Sequence, residues 1–276
     1  MNARFATVFL LCWGALTSTH SEIIRMNSPQ EIQNQIESLL VSHPASEMWV
    51  VFDIYHTLVH PRHPATHFHN MREKYKDIFK SIFKPLTLRQ SEVALNMALE
   101  HEKGLILINP AFPKLIHVLQ EKKIVTFCLT TAFARSISKI QNPNQWTYTY
   151  FKNTLKMDFN KRPPFAEDQK KLVLDSKDPV FYDRGILFTN GEHGLTKGET
   201  IVLALKESPF KPKVLVMVDD TEKNLLSIQE ELKKHDSTLT FVGILFTGAI
   251  EVSSSCTETE FKTFWQGKVD HSKIFS

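Results

Sequence analysis

The chain is short of cysteine, of net charge and of long apolar runs, and each shortage closes off a class of protein. Three cysteines, Cys12, Cys128 and Cys256, occur in 276 residues. Once residues 1–20 are set aside, Cys128 and Cys256 allow one disulfide at most; Cys128 lies in an apolar strand pattern where a buried free thiol is an equal alternative. The formal net charge is +3. Residues 1–20 hold only Arg4 among charged residues, so the remainder carries 32 basic against 30 acidic side chains, and that balance does not point to nucleic acid. Beyond residue 20 no stretch approaches the roughly eighteen apolar residues of a membrane span, so a soluble mature chain with no stable membrane anchor is expected. Internal repeats and low-complexity tracts are also missing.

What the sequence does hold is a hydrophobic content of 42%, enough for a full core. Arg4, the largely apolar Phe5–Leu16 and the small polar Thr17-Ser18-Thr19 have the layout of a secretory signal peptide over residues 1–20, although a clean A-x-A cleavage pair is missing. The expected location is therefore secreted or periplasmic, an oxidising setting. Lysines between Lys152 and Lys177 are interleaved with Asp158, Glu167, Asp168 and Asp175, which reads as a solvated face.

Residues 21–276 read as one α/β domain. Apolar positions 32, 36, 39 and 40 predict a helix over 29–41, and the continuous apolar run ending at Asp53 predicts a strand buried on both faces. Helical spacing over 67–83 and 88–102 predicts an inserted helical hairpin, a cap from about 59 to 105. A helix at 111–122, a strand at 124–129, a helix from near Lys197, a strand at 214–218, a helix at 222–234 and a strand at 239–246 complete an alternation that predicts a doubly wound parallel sheet. Residues 141–190, with four prolines and many aromatics, read as an irregular insertion whose last stretch, 184–190, forms a hairpin arm turned by Asn190-Gly191.

Three of these strands end in polar groups: Asp53, Thr130 and the pair Asp219-Asp220. Ligands of open parallel sheets bind at the carboxyl ends of the strands, so the groups are predicted to converge. Two adjacent carboxylates near a third repel and raise one another's pKa values unless a cation compensates them, and a hard divalent ion suits such oxygen donors. Singly, each residue also has a structural explanation: an aspartate after a strand caps a helix, and an acidic pair suits a helix N-terminus. Order and spacing taken together point to a site.

Asp53-Ile54-Tyr55-His56-Thr57-Leu58, Thr130, Lys197 in "LTKGET" and "VDDTEKN" at 218–224 resemble, in order, the four motifs of the haloacid dehalogenase-like (HAD-like) hydrolase superfamily. The stretch "GILFTNG" at 185–191 with "KGE" at 197–199, and the signal peptide, resemble a secreted branch of it found in intracellular bacterial pathogens. The resemblance implies a Rossmann-like α/β sheet with a cap and a catalytic set of Asp53, Tyr55, His56, Thr57, Thr130 and Lys197. Asp53 would be the nucleophile that forms an aspartyl-phosphate. Thr130 would hydrogen-bond the phosphoryl oxygens, and Lys197 would neutralise charge. Mg²⁺ would be held by Asp53, Asp219, Asp220 and the backbone carbonyl of Tyr55. Asn224 takes a further polar position of the fourth motif.

One position departs from the pattern. Tyr55 stands where phosphatases of the superfamily usually carry an acid/base aspartate, and a phenol of pKa ~10 does not readily activate water near neutral pH. His56 beside it titrates in the useful range. The histidines at 60, 63, 67 and 69 match no standard zinc spacing; surface residues are the first reading, substrate contact the second and a metal site the third. The expected function is Mg²⁺-dependent hydrolysis of a small phosphorylated substrate. The alternatives are a binding or effector protein with a protein partner and no turnover, and, last, carbon–halogen cleavage.

Overall fold

The computed structural model describes residues 21–101, 104–132, 134, 143–172, 179–190, 195–251 and 255–274. The expected signal peptide and the pair partner Gly191 lie outside these residues.

An eight-stranded sheet forms the centre. In chain order its strands are β1 (Ser21–Met26), β2 (Met48–Phe52), β5 (Val125–Thr130), β6 (Gln169–Lys171), β7 (Phe181–Asp183), β8 (Ile186–Phe188), β9 (Val214–Asp219) and β10 (Thr240–Phe246), while β3 (Val59–Pro61) and β4 (Leu105–Leu107) pair separately. The sheet order is β1-β10-β9-β2-β5-β8-β7-β6, parallel throughout except where β7 runs antiparallel to β8 and β6 to β7. All five residues of β2 are buried because the strand has a packed layer on each face. Met48, Val50 and Phe52 join α1 (Pro29–Leu39), α4 (Phe112–Glu121) and α5 (Pro143–Asn153) in one core; Trp49 and Val51 join α6 (Lys197–Glu207) and α7 (Glu222–His235) in the other. Helices on both faces of a mostly parallel sheet make the fold doubly wound α/β.

Between β3 and β4 the chain leaves the sheet through a π-helical turn (His69–Lys74), α2 (Lys76–Phe83) and α3 (Leu88–His101). The antiparallel pairing of Val59 with Leu107 and Pro61 with Leu105 closes the base of this excursion. A third apolar cluster, with Ala65, Met71, Tyr75 and Ala98 from the excursion and Phe261 and Trp265 from α9 (Glu258–Ile274), holds it in place. Trp265 Nε1 donates to Ala65 O at 2.9 Å, Tyr75 Oη donates to Cys256 O at 2.6 Å, and His63 stacks on Phe264 at 4.0 Å. The short α8 (Gly248–Glu251) precedes it.

Residues 143–190 are more regular than their sequence indicates, since they supply α5 and the three strands that extend the sheet beyond β5. Among the described residues a hairpin joins β7 to β8 and turns at Arg184-Gly185, with φ of 44° and 86°; the expected turn at Asn190-Gly191 lies partly outside them. A two-residue turn that follows the strand twist needs positive φ at both positions. Gly185 also lies against the Phe159 backbone, where a Cβ would clash. Cys128 and Cys256 are both buried free thiols in different clusters, so the possible disulfide is not formed.

Candidate active site

Asp53, Thr130 and Asp219 follow or end β2, β5 and β9, which are adjacent in the sheet, so residues far apart in sequence meet at one edge. Asp53 N donates to Val218 O at 2.8 Å and fixes the start of the loop. The chain then turns tightly: Leu58 N and Val59 N both donate to Ile54 O at 3.0 Å, and His56 N donates to Val59 O at 2.8 Å. His56 pays for this with a left-handed φ of 64°, an uncommon state for a residue with a side chain. The turn sends Tyr55 and His56 toward the sheet edge.

Lys197 arrives from the far side. Thr196 caps α6 reciprocally with Glu199, and Lys197 is the first residue of the helix. Its ammonium donates to Asp53 Oδ1 at 2.5 Å and to Asp219 Oδ2 at 2.7 Å. Burial alone would lower a lysine pKa, but the carboxylates of Asp219 and Asp53 outweigh it and hold the ammonium above its ordinary value. The second oxygen of Asp53 accepts from Thr57 Oγ1 at 3.3 Å. Asp219 also accepts from Thr221 N at 2.9 Å and Asn224 Nδ2 at 3.0 Å.

The acid cluster remains undercompensated. Oxygens of Asp53, Asp219 and Asp220 all lie within 4.8 Å of one another, and among the described residues this is the sole group of His, Cys, Asp and Glu side chains with metal-holding geometry. One ammonium serves Asp53 and Asp219. Burial raises the Asp53 carboxyl to about 6 against the pull of Lys197, and burial with the charges of Asp53 and Asp219 raises Asp220 to about 8. A site that keeps a carboxyl protonated for want of positive charge, with only oxygen donors around it, fits a hard divalent cation.

These groups open into a cavity of about 520 Å³ lined by Asp53, Tyr55, His56, Thr130, Lys197 and Asp220, with Arg72, Lys223 and Asn224 in its wall. Thr130 Oγ1 accepts from Ala132 N at 3.2 Å, which leaves the hydroxyl proton free to donate. Two predicted residues stand behind the cavity instead of in it. Thr57 is fully buried and supports Asp53, and Asp219 is fully buried and supports Lys197 and Asn224.

The family described as "Protein of unknown function (DUF2608)" matches residues 25–267. The chain belongs to this family. As a DUF2608 chain it is 21% identical to an uncharacterized protein of Rickettsia bellii over 252 residues, covering 87% of this chain and 82% of the relative. It is 25% identical to an uncharacterized protein of Rickettsia conorii over 183 residues, covering 61% and 59%. The match to the DUF2608 family spans every site residue named above.

In this DUF2608 chain two of the four histidines at 60, 63, 67 and 69 are not surface residues. His60 and His67 are buried, with ring centroids 3.9 Å apart, and both approach the Pro61 carbonyl oxygen, at 2.9 Å and 3.1 Å. His56 is half-buried against Phe68, and its Nδ1 has no hydrogen-bond partner. His63, stacked on Phe264, and His69, paired with exposed Glu73 at 2.7 Å, are part-exposed and nearer the surface reading. Arg72 was missed altogether, as a lone arginine in a helical pattern carries no signal of the cavity it faces.

Proposed function

We propose that the chain is a Mg²⁺-dependent phosphohydrolase of the haloacid dehalogenase-like superfamily, secreted or periplasmic, acting on a small phosphate ester through Asp53. The observation that carries this reading is the buried bridge from Lys197 to Asp53 and Asp219 at the floor of a cavity that also holds Asp220 and Thr130. Such a floor combines a nucleophilic carboxylate with fixed positive charge and a hydroxyl donor, which suits an anionic transition state.

In this reading an oxygen of Asp53 attacks phosphorus, the bond to the leaving oxygen breaks, and water then frees the carboxylate and inorganic phosphate. Lys197 keeps Asp53 ionised and faces the charge that builds on the phosphoryl group. Thr130 donates to a phosphoryl oxygen. Asp53, Asp219, Asp220 and the Tyr55 carbonyl would hold Mg²⁺, which supplies orientation of the phosphate and absorption of its charge. The excursion between β3 and β4 serves as the cap over the cavity. Tyr55 contributes no proton transfer, because burial and the Asp53 charge raise its phenol above the ordinary value. His56, held down to about 3 by burial and by Arg72, is neutral at physiological pH and does not titrate in the useful range expected of it, so it is too weak a base to replace the acid/base aspartate.

Tyr55 is also the observation that favours a second reading, a binding or effector protein with this fold and no turnover. Phosphate release from a panel of phosphomonoesters by the chain with Mg²⁺ separates the two. Release that stops with EDTA and in Asp53→Asn supports the hydrolase; Mg²⁺ binding with no release from any ester supports the second reading.

A further inference from the structure

We infer that Arg72 and Lys223 form a second anion subsite in the cavity, one that takes a negatively charged group on the leaving portion of the substrate. The inference rests on the phosphohydrolase reading and narrows its substrate class to phosphate esters carrying a second anionic group, a carboxylate or another phosphate.

Arg72 is presented by a π-helical turn, a rare backbone form that often accompanies functional sites. Its neighbours fix that turn: Met71 and Tyr75 are buried in the cluster beneath α9, and Tyr75 is bonded to Cys256 O. Arg72 itself is exposed and lines the cavity from the excursion side. Lys223 lines it from the first turn of α7, a helix whose N-cap side chain makes no capping bond, so the positive end of the helix adds to the same field.

The charge count of the cavity leaves both cations without a counter-ion. Its acidic lining residues are Asp53 and Asp220, both on the floor, and Lys197 is engaged there by Asp53 and Asp219. Neither Arg72 nor Lys223 forms an ion pair among the described residues. The field of Arg72 nevertheless reaches the floor, where it acts to lower the pKa of Asp220 and of His56. A transferred phosphoryl group occupies only part of about 520 Å³, which leaves room for a small leaving group extending toward these residues. A guanidinium fork matches the planar or tetrahedral oxygens of carboxylate and phosphate, and binds them in pairs.

The test is calorimetric binding of methylphosphonate and of 3-phosphonopropionate to the full chain with Mg²⁺, in wild type, Arg72→Met, Arg72→Lys and Lys223→Met. In wild type the added carboxylate is expected to tighten binding about tenfold or more. Arg72→Met removes most of that advantage, while methylphosphonate, which loses only the longer-range field of Arg72, weakens by much less than 3-phosphonopropionate; Arg72→Lys keeps part of the advantage, and Lys223→Met reduces it. Both positions are on the surface, so the variants fold. Equal binding of the two compounds in wild type, or an advantage that survives in Arg72→Met, overturns the subsite alone. Binding of neither compound overturns the subsite together with the phosphohydrolase reading.

Discussion

The ammonium of Lys197 lies 2.5 Å from Asp53 Oδ1 and joins residues 144 positions apart in the chain. This pair ties the first turn of α6 to the end of β2, so chemistry and stability depend on the same contact. Removing one member of a buried ion pair leaves the other charge unsolvated, at a cost of about 3–5 kcal/mol. Lys197→Met is expected to lose stability on that scale in urea titration and to lose phosphate release entirely. A variant with wild-type stability would contradict the geometry.

Gly198 sets how closely α6 approaches α7. A Cβ at this position would run into the Ser227 carbonyl oxygen. Gly198→Ala therefore pushes the first turn of α6 outward and carries Lys197 with it. The expected result is a folded chain, by circular dichroism, with phosphate release reduced at least tenfold; unchanged release would show that Lys197 tolerates the shift.

Divalent cation should stabilise the fold through the acid cluster. With Asp220 raised to about 8 by burial and by Asp53 and Asp219, the uncompensated carboxyl is relieved when a cation binds. Added Mg²⁺ is expected to raise the melting temperature by several degrees, EDTA to reverse it, and Asp220→Asn to abolish the shift. A shift of equal size in Asp220→Asn would place the cation elsewhere.

His60 and His67 predict a loss of stability on acidification. Burial lowers both pKa values from the ordinary 6.5, His67 to about 4. The unfolded chain therefore takes up protons as pH falls below about 6.5, while in the folded chain His67 does not until about 4 and His60 is also held back. The neutral form is the one the fold accepts, so its stability is full above 6.5 and declines between 6.5 and 4. The urea midpoint of wild type should fall over this range more steeply than that of His67→Gln. Parallel curves for the two proteins would exclude the buried pair as the cause.

The sheet and its main helices were legible because their signals are local. β2, β5, β9 and β10 are continuous apolar runs, and α1, α4, α6 and α7 carry one-sided periodicity or a capping box. The convergence of Asp53, Thr130 and Asp219-Asp220 followed from the strands they end, whereas Lys197, on α6, was indicated only by the motif resemblance. What escaped depends on partners distant in sequence. β1 is a half-exposed edge strand whose identity comes from its register with β10. β8 was legible as the hairpin arm at 184–190, but β6 and β7 have three residues each and exist through pairing that begins at β5 and β8. α9 has Phe261, Trp265 and Val269 on one face but little other apolar content, and it matters because that face covers the excursion.

Trp265 tests that last relationship. It is buried, meets Phe79 at a centroid distance of 4.9 Å and donates to Ala65 O. Trp265→Ala should cost about 3–5 kcal/mol. It should also speed amide exchange in residues 64–83 more than in β2 or β9. Uniform loss of protection across the chain would mean that α9 supports the whole fold and not the excursion.

The central claim is that Asp53 is the phosphorylated nucleophile, and trapping the phosphorylated chain tests it most directly. The chain with Mg²⁺ is mixed with a turned-over phosphomonoester labelled in its phosphate, quenched in acid, digested and mapped, with hydroxylamine added to half of the sample. The account predicts label on the peptide containing Asp53, removed by hydroxylamine as an acyl phosphate is, and no label in Asp53→Asn. Turnover with no label on that peptide, or with hydroxylamine-resistant label on another residue, would contradict it.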